Sequence, residues 1–146
     1  MPFQSYTRLV ARMGGLYASR KNKSKFGVSQ SKSGKAARTD ADGTLFSSKG
    51  ELKRWKDLQN LERAGHISNL KRQVPIDLCF TNEKHEIVVI ETPTGRCMRY
   101  VADFEYRDNK RGCTVLEDYK GMDTPESAIK RAMVKAFYGT EVMVSK

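Results

Sequence analysis

The chain has 146 residues, 38% of them hydrophobic and 30% charged, which is enough apolar material for one domain with a packed core. It contains no apolar run long enough for a membrane helix, and its start lacks the apolar stretch of a signal peptide. The net charge of +10, from 27 Lys and Arg residues against 17 Asp and Glu residues, favours binding to a polyanion, most often nucleic acid.

The positive charge is concentrated near the start of the chain. Residues 1–39 carry nine basic residues and no acid, whereas residues 40–146 carry 18 basic and 17 acidic residues. We therefore expect the first segment to contact nucleic-acid phosphates. Its basic residues are Arg8, Arg12, Arg20, Lys21, Lys23, Lys25, Lys32, Lys35 and Arg38.

Two patterns lie within this basic segment. Apolar residues at helical spacing over 6–17 predict an amphipathic helix, which either packs on its own domain or docks on a second subunit to form a homodimer. Residues 18–43 are rich in Ser, Gly and Lys and predict a flexible arm. We therefore divide the chain into a basic N-terminal helix and arm, 1–45, and a folded domain, 46–146.

The folded domain is predicted to alternate helices and strands. Residues 48–64 and 124–138 have helical patterns, each followed by a glycine that ends the helix. The turn-rich residues 108–112 predict a hairpin between the two strands that flank them. Together these segments predict an α/β sandwich with a mixed, mostly antiparallel sheet. The predicted strands are 70–80, 87–91, 96–107, 113–120 and 141–144.

The cysteines argue against two kinds of site. Cys79, Cys97 and Cys113 are odd in number and widely spaced, and no CxxC pair is present. The sequence therefore supports neither a disulfide framework nor a zinc site, and it indicates a reducing, cytoplasmic setting.

The predicted hairpin brings charged residues together. With the turn centred between Lys110 and Arg111, the numbers of facing residues sum to about 221, so Asp103 lies opposite Asp118 and on the same face. Lys120 lies two residues further along and shares that face. Either a cation such as Mg²⁺ or the Lys120 ammonium offsets the repulsion between the two acids, and the pairing alone leaves both open.

Two other acids have structural interpretations as well. Glu117 is expected on the opposite face of the hairpin, as a solvated or capping acid. Glu51 completes the pattern Ser48-x-x-Glu51, a capping box at the start of a helix. Alternatively, the first turn of that helix directs Glu51 toward the hairpin acids.

Three blocks of the domain, FSSKGELKRWKDLQNLERAGHISNLKRQVPIDL, YVADFEY and VLEDYKG, resemble a family of small phage-encoded proteins that is similar to the PD-(D/E)XK nuclease superfamily. By this resemblance, Asp103 matches the first motif aspartate, and Asp118 with Lys120 matches the (D/E)-x-K pair. Glu51 matches an acid that many members place on the first helix. Gln73 lies in a block that looks typical of the family, without an assigned role. Ala102 replaces the nominal motif proline.

The resemblance implies a restriction-endonuclease-like core with a basic N-terminal arm, acting in the host cytoplasm. It implies a Mg²⁺-dependent DNA endonuclease, with Mn²⁺ as a substitute, that nicks DNA or cuts branched DNA such as Holliday junctions. Asp103, Asp118 and Glu51 would hold the metal, and Lys120 would orient water or stabilise the transition state. The alternatives are a non-catalytic DNA-binding protein on the same fold and a basic RNA- or ribosome-associated protein.

Overall fold

The computed structural model describes Val28 and residues 30–146. The predicted helix over 6–17 and the basic residues Arg8, Arg12, Arg20, Lys21, Lys23 and Lys25 lie outside this part of the chain. The elements, in chain order, are α1 (Lys32–Ala36), α2 (Lys49–Arg63), β1 (Ile67–Asp77), β2 (Cys79–Thr81), β3 (Ile87–Val89), β4 (Arg99–Asp108), β5 (Cys113–Tyr119), α3 (Pro125–Tyr138) and β6 (Val142–Ser145).

Both long helices begin and end where the sequence predicts. The Ser48 hydroxyl caps α2 by accepting a hydrogen bond from an amide in the first turn. Thr124 does the same for α3, whose first residue is Pro125. Gly139 ends α3 with a positive φ of 63°, a conformation that glycine adopts without steric cost. Within the described residues, neither long helix has the length and apolar character needed to cross a membrane.

The main sheet has the strand order β1-β4-β5-β6. The first three strands pair antiparallel, and β6 runs parallel to β5, so the predicted mixed α/β architecture is confirmed. The hairpin register is also confirmed, because Tyr106 faces Val115 and Phe104 faces Glu117. Helix α2 covers one face of the sheet around Phe104, and α3 covers the other.

One predicted strand is divided in two. The segment 70–80 is interrupted at the buried Leu78, whose amide donates to the carbonyl of Met98. Beyond that point, β2 pairs with β3 in a separate two-stranded sheet instead of continuing the main one. The predicted strand 87–91 is present over Ile87–Val89, and its partner is β2.

The alternation of faces along β1 and β4 breaks near the middle of both strands. Arg72 lies over aromatic rings on the α2 side, whereas Val74 packs into the core on the α3 side. Ala102 and Phe104 are likewise divided between the two cores. Residues two apart in a regular strand share a face, so the chain turns over here. On β1 this reversal of the side-chain faces is caused by Gln73, whose backbone has a left-handed φ of 51°.

The described part of the predicted flexible arm is ordered and contacts the domain. Residues 32–36 form α1, and Thr39 and Leu45 form an antiparallel bridge. Arg38 is only 6% exposed and donates to the carbonyl of Phe46 at 2.6 Å. This burial argues against the predicted contact between Arg38 and DNA, because the guanidinium is directed at the backbone of its own domain. Lys32 and Lys35 are exposed.

Candidate functional site

Four side chains that the sequence singles out meet at the point where β1 and β4 turn over. Asp103 lies on β4 and Asp118 near the end of β5, with Lys120 just after that strand. Glu51 reaches them from the first turn of α2. Gln73 connects two of these groups, because its amide nitrogen lies within hydrogen-bonding distance of both Glu51 and Asp103.

Asp118 is fully buried, and its two oxygens have different surroundings. Oδ2 accepts a hydrogen bond from the Tyr100 hydroxyl at 2.5 Å and lies 3.0 Å from the Lys120 ammonium and 3.9 Å from the Arg131 guanidinium. Among the described residues, no donor bonds to Oδ1. Burial and the adjacent Asp118 raise the pKa of Tyr100, so this phenol remains a donor. A buried carboxylate oxygen without a donor calls for a cation, a water or the proton of the neighbouring Asp103 carboxyl, whose side chain hydrogen-bonds with Asp118.

The surroundings of Asp103 disfavour its ionised form. Its Oδ2 accepts from the Tyr119 amide at 2.8 Å and its Oδ1 from Gln73 at 3.1 Å. Burial, followed by the neighbouring Asp118 carboxyl and the charge of Glu51, raises the pKa of Asp103 to about 8. Near neutral pH, full ionisation of this cluster therefore requires a compensating positive charge.

Glu51 caps its helix with one carboxylate oxygen and faces the hairpin acids with the other. It is 3% exposed, and its Oε2 accepts from the Ser47 amide at 3.0 Å, while its own amide donates to the Ser48 hydroxyl. Its Oε1 accepts from Gln73 at 3.3 Å. Capping thus fixes the carboxylate in a position from which the other oxygen contacts the site.

A glycine lets the end of β5 approach this helix. A Cβ at Gly50 would overlap the ring and hydroxyl of Tyr119. Because the Tyr119 amide also donates to Asp103, this close packing ties the first turn of α2 to the acids of the hairpin.

Glu117 occupies the opposite face, as predicted, but the expectation of a solvated or capping acid is wrong. It is 0% exposed and accepts two hydrogen bonds from the Arg54 guanidinium, at 2.6 and 2.9 Å. Tyr106 and Ser145 donate to it as well. Burial acts to raise the pKa of Glu117, but these hydrogen bonds outweigh burial and lower the pKa below its ordinary value. Glu117 is therefore part of a buried ion pair and not of the site.

Replacing Arg54 by Met should destabilise the protein by about 3 kcal/mol near pH 7, because Glu117 is left as a buried, unpaired carboxylate. In the native protein its lowered pKa contributes stability above about pH 4.5, and this contribution is lost as the pH falls through that pKa. The difference in unfolding free energy between native protein and variant should therefore shrink toward pH 4 in urea titrations. The double variant with Glu117→Gln should recover much of the loss; equal losses at both pH values would contradict the ion pair.

The cluster fits a hard divalent cation with two protein ligands. Among the described residues, no group of three or more His, Cys, Asp or Glu side chains is arranged to hold a metal ion. Mg²⁺ usually takes only one or two carboxylates and completes its shell with water and substrate phosphate. The orphaned Oδ1 of Asp118 and the adjacent Asp103 meet that need. Glu51, held by its cap and by Gln73, is suited to act through water.

Sequence reasoning missed two residues of the site. Tyr100 precedes Asp103 by three positions, yet its hydroxyl reaches Asp118. Arg131 lies on α3 beside Asp118 and is paired mainly with Asp123. No local sequence pattern predicts either contact, because one depends on the reversal of faces along β4 and the other on where α3 packs.

Comparison with known proteins gives a family without an activity. Residues 30–144 match the family described as Protein of unknown function (DUF1064). No curated protein and no solved structure matches the chain. The match begins before α1 and ends inside β6, and so it covers both long helices and every described strand except the last residue of β6. The chain therefore belongs to the DUF1064 family.

Proposed function

We propose that the protein is a Mg²⁺-dependent DNA endonuclease built on a restriction-endonuclease-like core. The observation that carries this proposal is the pair of adjacent acids, Asp103 and Asp118, of which Asp118 is fully buried with one oxygen lacking a donor. Without a metal the two carboxyls share a hydrogen bond, which is one cause of the raised pKa of Asp103; a bound divalent cation would replace that proton and let both acids ionise.

The order of elements supports the same proposal. Helix α2 precedes the antiparallel strands β1, β4 and β5, and α3 then leads into β6, which is parallel to β5. This is the helix, mixed sheet, helix, strand arrangement that the resemblance to the PD-(D/E)XK superfamily implies. The acids lie on the central strands β4 and β5, where neighbouring elements hold them firmly.

Each residue has a distinct part in the proposed chemistry. Asp118 and Asp103 would hold Mg²⁺, which when bound lowers the pKa of a water and offsets the charge of the scissile phosphate. Lys120, fixed by its ion pair with Asp118, would donate to the attacking water or to the phosphate oxygens. Tyr100 and Arg131 would keep Asp118 ionised and in place.

A test of the proposal compares supercoiled, linear and four-way-junction DNA, each with Mg²⁺, with Mn²⁺ and with EDTA. We expect cleavage with either metal and none with EDTA. Binding of every substrate without cleavage of any would favour a non-catalytic DNA-binding protein, for which the excess positive charge provides the specific support.

Replacing Glu51 by Gln should lower cleavage at least tenfold and change the melting temperature little. Gln can still accept the hydrogen bond from Ser47, but it removes a charge and presents an amide to the Gln73 amide. Plasmid cleavage and thermal melting measure the two effects. Full activity would restrict Glu51 to its capping role.

Deleting residues 1–29 should weaken DNA binding and flatten its salt dependence. The deletion removes six of the nine basic residues and leaves Arg38 in its contact with Phe46. If all six contact phosphates, the slope of log K against log salt should fall by about five. Binding titrations at several salt concentrations measure it, and an unchanged slope would show that these residues do not contact DNA.

A further inference from the structure

Gln73 joins two acids that come from different parts of the chain. Its Nε2 donates to Oδ1 of Asp103 at 3.1 Å and to Oε1 of Glu51 at 3.3 Å. An amide nitrogen carries two hydrogens, and both are used here. One neutral group on β1 therefore connects β4 with the first turn of α2.

Gln73 has an unusual backbone conformation and lies directly across from Asp103. The neighbouring pairs Arg72–Phe104 and Val74–Ala102 place Gln73 across from Asp103 on the adjacent strand. Its φ of 51° lies in the left-handed region, which residues other than Gly, Asn and Asp rarely adopt. Strained backbone of this kind is commonly found at functional sites.

We infer that Gln73 is a positioning residue for the metal site, an inference that rests on the proposed function. It holds the carboxylates of Asp103 and Glu51 near each other without adding a positive charge. A lysine or arginine here would offset their repulsion too, but it would also repel a divalent cation. The neutral amide orients the acids and leaves their charge available to the metal.

Manganese binding to the metal-free protein tests this role without any activity measurement. Mn²⁺ titrations followed by electron paramagnetic resonance should show about 10- to 100-fold weaker binding for Gln73→Leu and Gln73→Gly than for the native protein. Asn69→Gly is the matched control, because Asn69 has a similar φ of 56° on the same strand but lies outside the site. Its affinity for Mn²⁺ should not change.

A lysine variant separates positioning from simple packing. Gln73→Lys should raise the melting temperature of the metal-free protein, because a cation then meets two acids, and it should weaken Mn²⁺ binding at least as much as Gln73→Leu. If Gln73 served only to stabilise the fold, a substitution would change the melting temperature and the Mn²⁺ affinity in the same direction. Native Mn²⁺ affinity in all three Gln73 variants would overturn the inference and leave the proposed function standing, whereas a native protein that binds no Mn²⁺ would overturn both.

Discussion

Asp118→Asn is expected to abolish Mg²⁺-dependent cleavage, with a loss of at least about 100-fold, because the metal loses a buried negative ligand. The fold should survive. The carbonyl oxygen of Asn can take the place of Oδ2, which faces the Tyr100 hydroxyl and the Lys120 ammonium, and its amide then occupies the position of the orphaned Oδ1. Plasmid cleavage and thermal melting measure activity and fold separately.

The same variant should lose cleavage without losing affinity for DNA. In EDTA, Asp118→Asn should bind DNA as tightly as the native protein or more tightly, since a negative charge near the phosphate is gone. Asp57→Asn, on the exposed surface of α2, makes the same change of charge away from the site and should keep full cleavage. Retained cleavage in Asp118→Asn would remove the central residue of the proposed site.

Lys120→Ala should also abolish cleavage, but for a different reason. The carboxylates of Asp118 and Asp103 remain, so Mn²⁺ should bind as well as before or more tightly once the competing ammonium has gone. What disappears is the donor to the attacking water or the phosphate. Cleavage assays together with Mn²⁺ titrations therefore distinguish the role of Lys120 from that of Asp118.

The same pair of measurements addresses the alternative that Lys120 only neutralises two structural acids. In that case Lys120→Ala would lower the stability of the metal-free protein and leave DNA cleavage intact. Lys53→Ala, an exposed lysine on α2, controls for the general loss of positive charge and should cleave normally. An active Lys120→Ala variant would contradict the proposed role.

The part of the site that lies within the hairpin could be predicted from the sequence because its geometry is local. The four-residue connection 109–112 fixes the register of the two strands, and the period of two then determines which side chains share a face. The pairing of Phe104 with Glu117 agrees with this prediction. The caps of α2 and α3 were equally predictable, since Ser48 and Thr124 act within three residues of their own position.

The contacts that the sequence could not supply join distant segments. Arg54 and Glu117 are 63 residues apart, and nothing in either local pattern indicates that they form an ion pair. The left-handed backbone at Gln73 overrides the alternation expected of a strand, and Arg38, expected at the surface, is buried against the Phe46 carbonyl. In each case tertiary packing decides the environment of a charged or polar group that composition alone would place in solvent.

The position of a bound cation tests the proposed metal site at Asp103 and Asp118. Crystals soaked in Mn²⁺ should show an anomalous difference peak at roughly 2.0–2.2 Å from Oδ1 of Asp118, with Asp103 as the second protein ligand. The peak should be absent in Asp118→Asn crystals treated in the same way. A bound Mn²⁺ held elsewhere, or a site at Asp118 that stays empty under saturating Mn²⁺, would contradict the claim that these two acids form the metal site.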